Sequence, residues 1–115
     1  MKAAADLAVD LGTCRTRIAA RGRGVVVDVP TVIATEGGAR GRRVAAIGED
    51  ARRMIGRAPA GISVTRPVRG GVVSDFEATE HLLRHLLAEA GGRTMRGPRV
   101  LVCVPTGITE VERRA

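Results

Sequence analysis

The sequence predicts an α/β fold, a mixed sheet with flanking helices, and three observations point to it. Residues 7–29 alternate β-prone runs with small polar turns, Ser74 to Gly91 carries an apolar stripe at helical spacing, and Val100–Val104 is an uninterrupted apolar run of strand length. A chain of 115 residues holds one small domain or a piece of a larger one.

The elements follow in order. Leu7-Ala8-Val9 and Arg17–Arg21 flank the small, polar segment Asp10–Thr16, which predicts a hairpin. Gly22-Arg23-Gly24 turns the chain into Val25–Val29, a β-branched run closed by Pro30, which has no ladder donor. Three antiparallel strands in succession make a sheet edge or a meander. Thr31–Ala34 and Val44–Ile47 predict two more short strands around a Gly- and Arg-rich loop, and Glu49–Ile55 a short helix stopped by Gly56 and Pro59. Residues 31–69 therefore look like an insertion.

Ser74-Asp75-Phe76-Glu77 fits the Ser-x-x-Glu pattern that satisfies two orphan donors at a helix start, and Gly91 supplies the stop. Phe76, Thr79, Leu82, Leu83, Leu86, Leu87 and Ala90 share one face at 3.6-residue spacing, predicted as core. A continuously apolar strand such as Val100–Val104 is expected to be buried on both faces. Pro105 and Gly107 break it, and Thr109-Glu110-Val111-Glu112 repeats the capping pattern. A helix with one turn before Ala115 is not stable alone, so the sequence is expected to be cut short relative to the fold it encodes.

Hydrophobic residues at 44% and charged residues at 27% exclude a disordered chain. With Phe76 the one aromatic, the core must be built from Val, Ile, Leu and Ala. The net charge of +7 comes from arginine, since Lys2 is the single lysine. Nucleic-acid binders interleave stacking aromatics with their basic residues, so coding bias explains the arginines better and no specific nucleic-acid partner is expected. Cys14 and Cys103 have no CxxC spacing, and reduced cytosolic thiols are the expectation. No run approaches the roughly 20 apolar residues of a membrane span, and Met1–Ala5 runs into Asp6 without a signal-peptide core. The expected location is cytoplasmic, at most peripheral at the inner face of the membrane.

Asp10-Leu11-Gly12-Thr13, inside a hairpin and directly after a strand, suits phosphate binding. Gly12 lets the backbone approach a ligand, successive amides can form an anion-binding concavity, and the Thr13 and Thr16 hydroxyls can donate. Asp10 can hold Mg²⁺ through water. This is not a Walker A loop, which requires Gly-Lys-Ser/Thr before a helix. His81 and His85 stand at i and i+4, a spacing that can serve a metal, but Glu77 and Glu80 favour helix-surface pairs with His81 and Arg84 instead.

Taken in order, several segments resemble one family. They are Asp10-Leu11-Gly12-Thr13 with Thr16, Met54-Ile55-Gly56-Arg57, Arg66-Pro67 with Gly71–Phe76, Val100–Pro105, and Val111-Glu112-Arg113-Arg114-Ala115. Together they resemble the MreB/Mbl family of bacterial actin-like cell-shape proteins. The resemblance implies an actin-like ATPase (ribonuclease H-like) fold, of which these residues supply N-terminal subdomains only. Residues 1–30 and 70–115 would belong to subdomain IA and residues 31–69 to a small inserted subdomain IB. It further implies that Asp10, Gly12, Thr13, Cys14, Arg15 and Thr16 form the first phosphate loop for ATP with Mg²⁺, Asp10 holding the metal through water. Filaments of self or of full-length MreB-like protomers, guiding wall synthesis and cell shape, would be the setting. The second phosphate loop, the water-positioning carboxylate and the adenosine pocket lie beyond Ala115 in the family, so no catalytic residue is expected in this chain.

Arg15 and Arg17 depart from the family pattern. Arg15 either adds a charge-assisted contact to a phosphate oxygen or obstructs the loop. Cys14 is read as a packing thiol. The Arg93–Arg99 loop, with Met95 among arginines, is expected to attract an anionic leaflet, or else to be a solvated basic loop. The alternative to an ATP-dependent filament protein is a non-catalytic interaction module that modulates full-length filaments through its insertion subdomain, with the sheet edge or face at Val100–Val104, left uncovered, also expected to seek a partner.

Overall fold

A computed structural model describes residues 5–38, 41–91, 97–103 and 110–114. Strands β1 (Leu7–Leu11), β2 (Arg15–Ala20) and β3 (Gly24–Pro30) form the expected antiparallel meander. The last strand, β9 (Val100–Val102), lies parallel to β1 and completes a four-stranded sheet of order β3-β2-β1-β9. Asp6 seats that pairing: its carboxylate accepts from the Arg99 amide at 2.9 Å, and its own amide donates to the Arg99 carbonyl at 2.8 Å.

One face of this sheet is covered by helix α2 (Phe76–Glu89). Leu7, Val9, Ile18 and Val27 from the strands meet Ala78, Leu82, Leu86 and Ala90 from the helix, all nearly inaccessible. Alternation in the strands and 3.6-residue spacing in the helix therefore converge on one aliphatic core. Helix α2 is capped by Asp75, whose carboxylate accepts from the Ala78 amide at 3.0 Å. Ser74, expected in that role, instead donates its hydroxyl to the Pro67 carbonyl at 3.1 Å. At the other end, Arg23 donates to the Ala90 carbonyl at 3.1 Å, and Gly91 follows with φ +92.

Strands β4 (Ile33–Gly38), β5 (Gly41–Ile47) and β6 (Ile62–Thr65) make a second sheet of order β5-β4-β6, antiparallel throughout. Helix α1 (Glu49–Arg53) packs Ala51 against Val32 and Ala34, a small core distinct from the first. Arg42 on β5 joins this sheet to α2: its guanidinium lies 2.8 Å from the Asp75 carboxylate and 3.5 Å from that of Glu77. Strands β7 (Val68–Arg69) and β8 (Val72–Val73) form a tight hairpin across Gly70 and Gly71. Both turn glycines have positive φ, +57 and +77, as a type I′ connection requires.

The structure corrects three further expectations. Phe76 is not core: it lies on the flank of α2 that carries Glu80, Leu83 and Leu87, around the helix from Ala78, Leu82 and Leu86, and is 50% exposed. The apolar run of β9 is not buried on both faces: α2 packs its core on β1, β2 and β3, and Val100, Leu101 and Val102 are all exposed, Leu101 by 59%. Cys14 is exposed rather than packed, because in the short β1–β2 turn its carbonyl, not its side chain, faces the supporting Thr31, and Cys103 is exposed as well. The helix expected after Thr109 is present as α3 (Glu110–Arg114), while its proposed cap and the break at Pro105 and Gly107 fall outside the described residues.

Candidate functional site

The β1–β2 connection is very short. Gly12 donates its amide to the Arg15 carbonyl at 3.0 Å, so the chain reverses within Gly12–Cys14. A Cβ on Gly12 would stand 2.8 Å from the Arg15 carbonyl oxygen, closer than a side chain tolerates, which is the local reason for glycine here.

Two contacts from distant segments fix the turn. From below, Thr31 donates its hydroxyl to the Gly12 carbonyl at 2.8 Å. Having spent its one proton there, Thr31 can only accept from Thr16, whose hydroxyl lies 2.9 Å away, and both threonines are fully buried. The Thr31 amide also donates to the Cys14 carbonyl at 2.9 Å. From the side, the Gly71 amide of the β7–β8 turn donates to the Thr13 hydroxyl oxygen at 2.8 Å. That leaves the Thr13 proton free to donate elsewhere.

Of the residues expected to bind phosphate, the structure brings Asp10, Gly12, Thr13 and Cys14 to one end of the sheet. Asp10, one residue before the end of β1, has an exposed carboxylate that meets no hydrogen-bond or ionic partner among the described residues. Thr16 is turned into the core, where its hydroxyl serves Thr31. Arg15 lies on the solvent face of the sheet, its Nε 2.7 Å from the Asp28 carboxylate, with Arg17 at 3.4 Å from the same group. The hydrogen bond from Arg15 holds the Asp28 carboxyl below its ordinary range.

Sequence reasoning missed Thr31 and Gly71. The Gly70-Gly71 pair between short valine-containing runs was the available signal for the hairpin. Nothing local marked Thr31, because its role depends on packing beneath a turn nineteen residues earlier. His81 lies 3.8 Å from Glu77 and Arg84 2.6 Å from Glu80, the helix-surface pairs the spacing implied. Residues 93–96 of the basic Arg93–Arg99 loop lie outside the described residues.

The four-stranded sheet, its covering helix and the small second sheet together form part of an actin-like α/β fold. Crystal structures of MreB5 of Spiroplasma citri superpose on it with TM-scores of 0.75 bound to ADP and 0.77 bound to AMPPNP. Each is 30% identical and covers 94% of this chain and 32% of that one. A family profile described as MreB/Mbl protein matches residues 4–115, and the chain belongs to that family. Cell shape-determining protein MreB of Escherichia coli K12 is 46% identical over 114 residues, 96% of this chain and 33% of the relative. Cell shape-determining protein Mbl of Bacillus subtilis 168 is 42% identical over 113 residues, 97% of this chain and 33% of the relative. The chain thus spans about a third of the length of the curated relatives it matches.

Proposed function

We propose that the chain carries the first phosphate-binding turn of an ATP-dependent, filament-forming cell-shape protein, corresponding to the N-terminal third of such a protomer. The observation that carries this reading is the β1–β2 turn itself: Gly12 leaves no room for a side chain, and Thr31 and Gly71 hold its carbonyl and its neighbouring hydroxyl in place. A preorganised turn of this kind presents its amides and the Thr13 hydroxyl to a phosphate without ordering cost at binding. In this reading Thr16 acts through Thr31 as a positioning residue, and Arg15 balances Asp28.

Asp10 fits a role toward Mg²⁺. It is an exposed carboxylate beside the turn, and Mg²⁺ bound with a nucleotide takes one or two carboxylates while keeping phosphate and water ligands. Mg²⁺ bound with a nucleotide would supply charge neutralisation at the phosphates. Residues 1–30 and 70–115 are assigned to subdomain IA and residues 31–69 to subdomain IB, supported by the separate small core of the second sheet. Self-association or assembly with full-length protomers, at the cytoplasmic face of the membrane with the Arg93–Arg99 loop toward anionic lipid, completes the proposal. The hydrolytic step is assigned to no residue of this chain.

Calorimetric titration with Mg-AMPPNP tests the reading. Asp10→Ala is expected to weaken binding at least about tenfold, about 1.4 kcal/mol, with unfolding unaltered. Equal affinity in the two proteins would overturn it. A second reading, a module that modulates full-length filaments, draws on the exposed apolar residues of β9. Co-sedimentation with full-length filaments that Leu101→Ser abolishes would support it.

A further inference from the structure

Beside the phosphate turn lies a cleft of about 620 Å³, between Thr13, the chain leaving α1 and the β6–β7 segment. Its floor is apolar, with Met54, Val64 and Val68, and its rim carries Arg57, Arg66 and Arg69. The lining holds no carboxylate. Arginines elsewhere are mostly neutralised: Arg15, Arg17, Arg42, Arg52, Arg84 and Arg99 each face an acidic side chain. Arg57, Arg66 and Arg69, by contrast, meet no acidic group and make no side-chain hydrogen bond among the described residues.

Three unneutralised guanidiniums around one cleft sum to a positive local potential, which draws an anion in, and each can make charge-assisted hydrogen bonds to its oxygens. Thr13 adds a directed donor, because its oxygen accepts from Gly71 and its proton is left over. We infer that this cleft is a phosphate-type oxyanion subsite formed by Arg57, Arg66 and Arg69 with the Thr13 hydroxyl. The inference rests on the reading of Thr13 as part of a phosphate turn. The anion is either inorganic phosphate or the terminal phosphoryl group of the nucleotide, which share the same tetrahedral oxygens.

The test is a titration of the chain with inorganic phosphate, followed by calorimetry and by amide shifts of Gly70 and Gly71. Saturable binding is expected. The double variant Arg66→Gln/Arg69→Gln should weaken it by about tenfold or more, with Arg84→Gln, on a distant helix face, as the neutral control. All three side chains are exposed, so folding is checked by circular dichroism and Arg57→Gln provides an independent variant. Phosphate displaced by Mg-AMPPNP identifies the nucleotide's own terminal group as the occupant, and phosphate that binds alongside it identifies the free anion. Either result supports the site. No saturation, or saturation that the arginine variants leave unchanged, would overturn it, as would capture of a glutamate-rich peptide in place of phosphate. Insensitivity of nucleotide binding to Asp10→Ala would instead sink the phosphate-turn reading, so the two failures are distinguishable.

Discussion

Thr31→Val probes the support beneath the phosphate turn with little change of shape, since a methyl replaces a hydroxyl and no cavity is left. Two groups lose their partner. The Thr16 hydroxyl is fully buried, and an orphaned buried donor costs about 1–3 kcal/mol. The Gly12 carbonyl lies in a partly exposed turn, where water offsets much of its loss, so the total comes to about 2–3 kcal/mol. Thr16→Val is milder. It leaves the donation from Thr31 to Gly12 intact and strands one acceptor site, at about 1 kcal/mol. The double variant also removes the orphaned Thr16 hydroxyl, so its cost should fall short of the sum of the singles by about 1 kcal/mol. Urea unfolding followed by far-ultraviolet circular dichroism, with slopes compared across the four proteins, gives these values directly. Equal costs for the two single substitutions, or strict additivity in the double, would refute a hydroxyl chain running from Thr16 through Thr31 to Gly12.

Further outcomes follow from the core and the cap. Leu82→Ala, at the centre of the α2 contact, should cost about 2–5 kcal/mol, whereas Phe76→Ser should stay within about 0.5 kcal/mol; thermal unfolding of the pair checks the placement of both residues. At Asp75, burial pushes the carboxyl up, but the Arg42 guanidinium and the Ala78 amide outweigh it and hold it below its ordinary value. The stability this contributes is present above pH about 4 and is lost as pH falls through the lowered value. Asp75→Asn keeps a capping side chain while losing the ion pair, so its stability should vary less than the wild type's below pH about 4 in an acid titration of unfolding.

Much of the fold is legible in the residues, because the information is local. The β-branched run of β3, the glycine-bounded turn before it and the apolar stripe of α2 need no distant partner to be read. What escapes is nonlocal. β6 has four residues, and its status as a strand comes from pairing with β4 rather than from its own pattern. β7 and β8 have two residues each, too short for periodicity to show. Phe76 fits a broad apolar stripe by spacing, yet the part of that stripe the sheet covers is Ala78, Leu82, Leu86 and Ala90, and Phe76 lies around the helix on the side of Leu83 and Leu87; spacing marks a face, and the packing partner decides which part of it is buried. The same limit applies to the turn: Asp10 to Thr13 could be read from the chain, while the two groups that hold it came from 19 and 58 residues away.

The parallel pairing of β1 with β9 has a consequence during synthesis. Leu7 waits for Val100, its register partner about ninety residues later. At roughly 5–20 residues per second, that interval is on the order of 5–20 s. The β1–β2–β3 meander can close long before then from neighbouring contacts, and α2 can dock on it as soon as it emerges. Throughout the interval β1 is an unpaired edge beside the phosphate turn, open to any strand that reaches it first. The ribosome thus delivers the turn's own support, Thr31 and then Gly71, well before the strand that seals its flank.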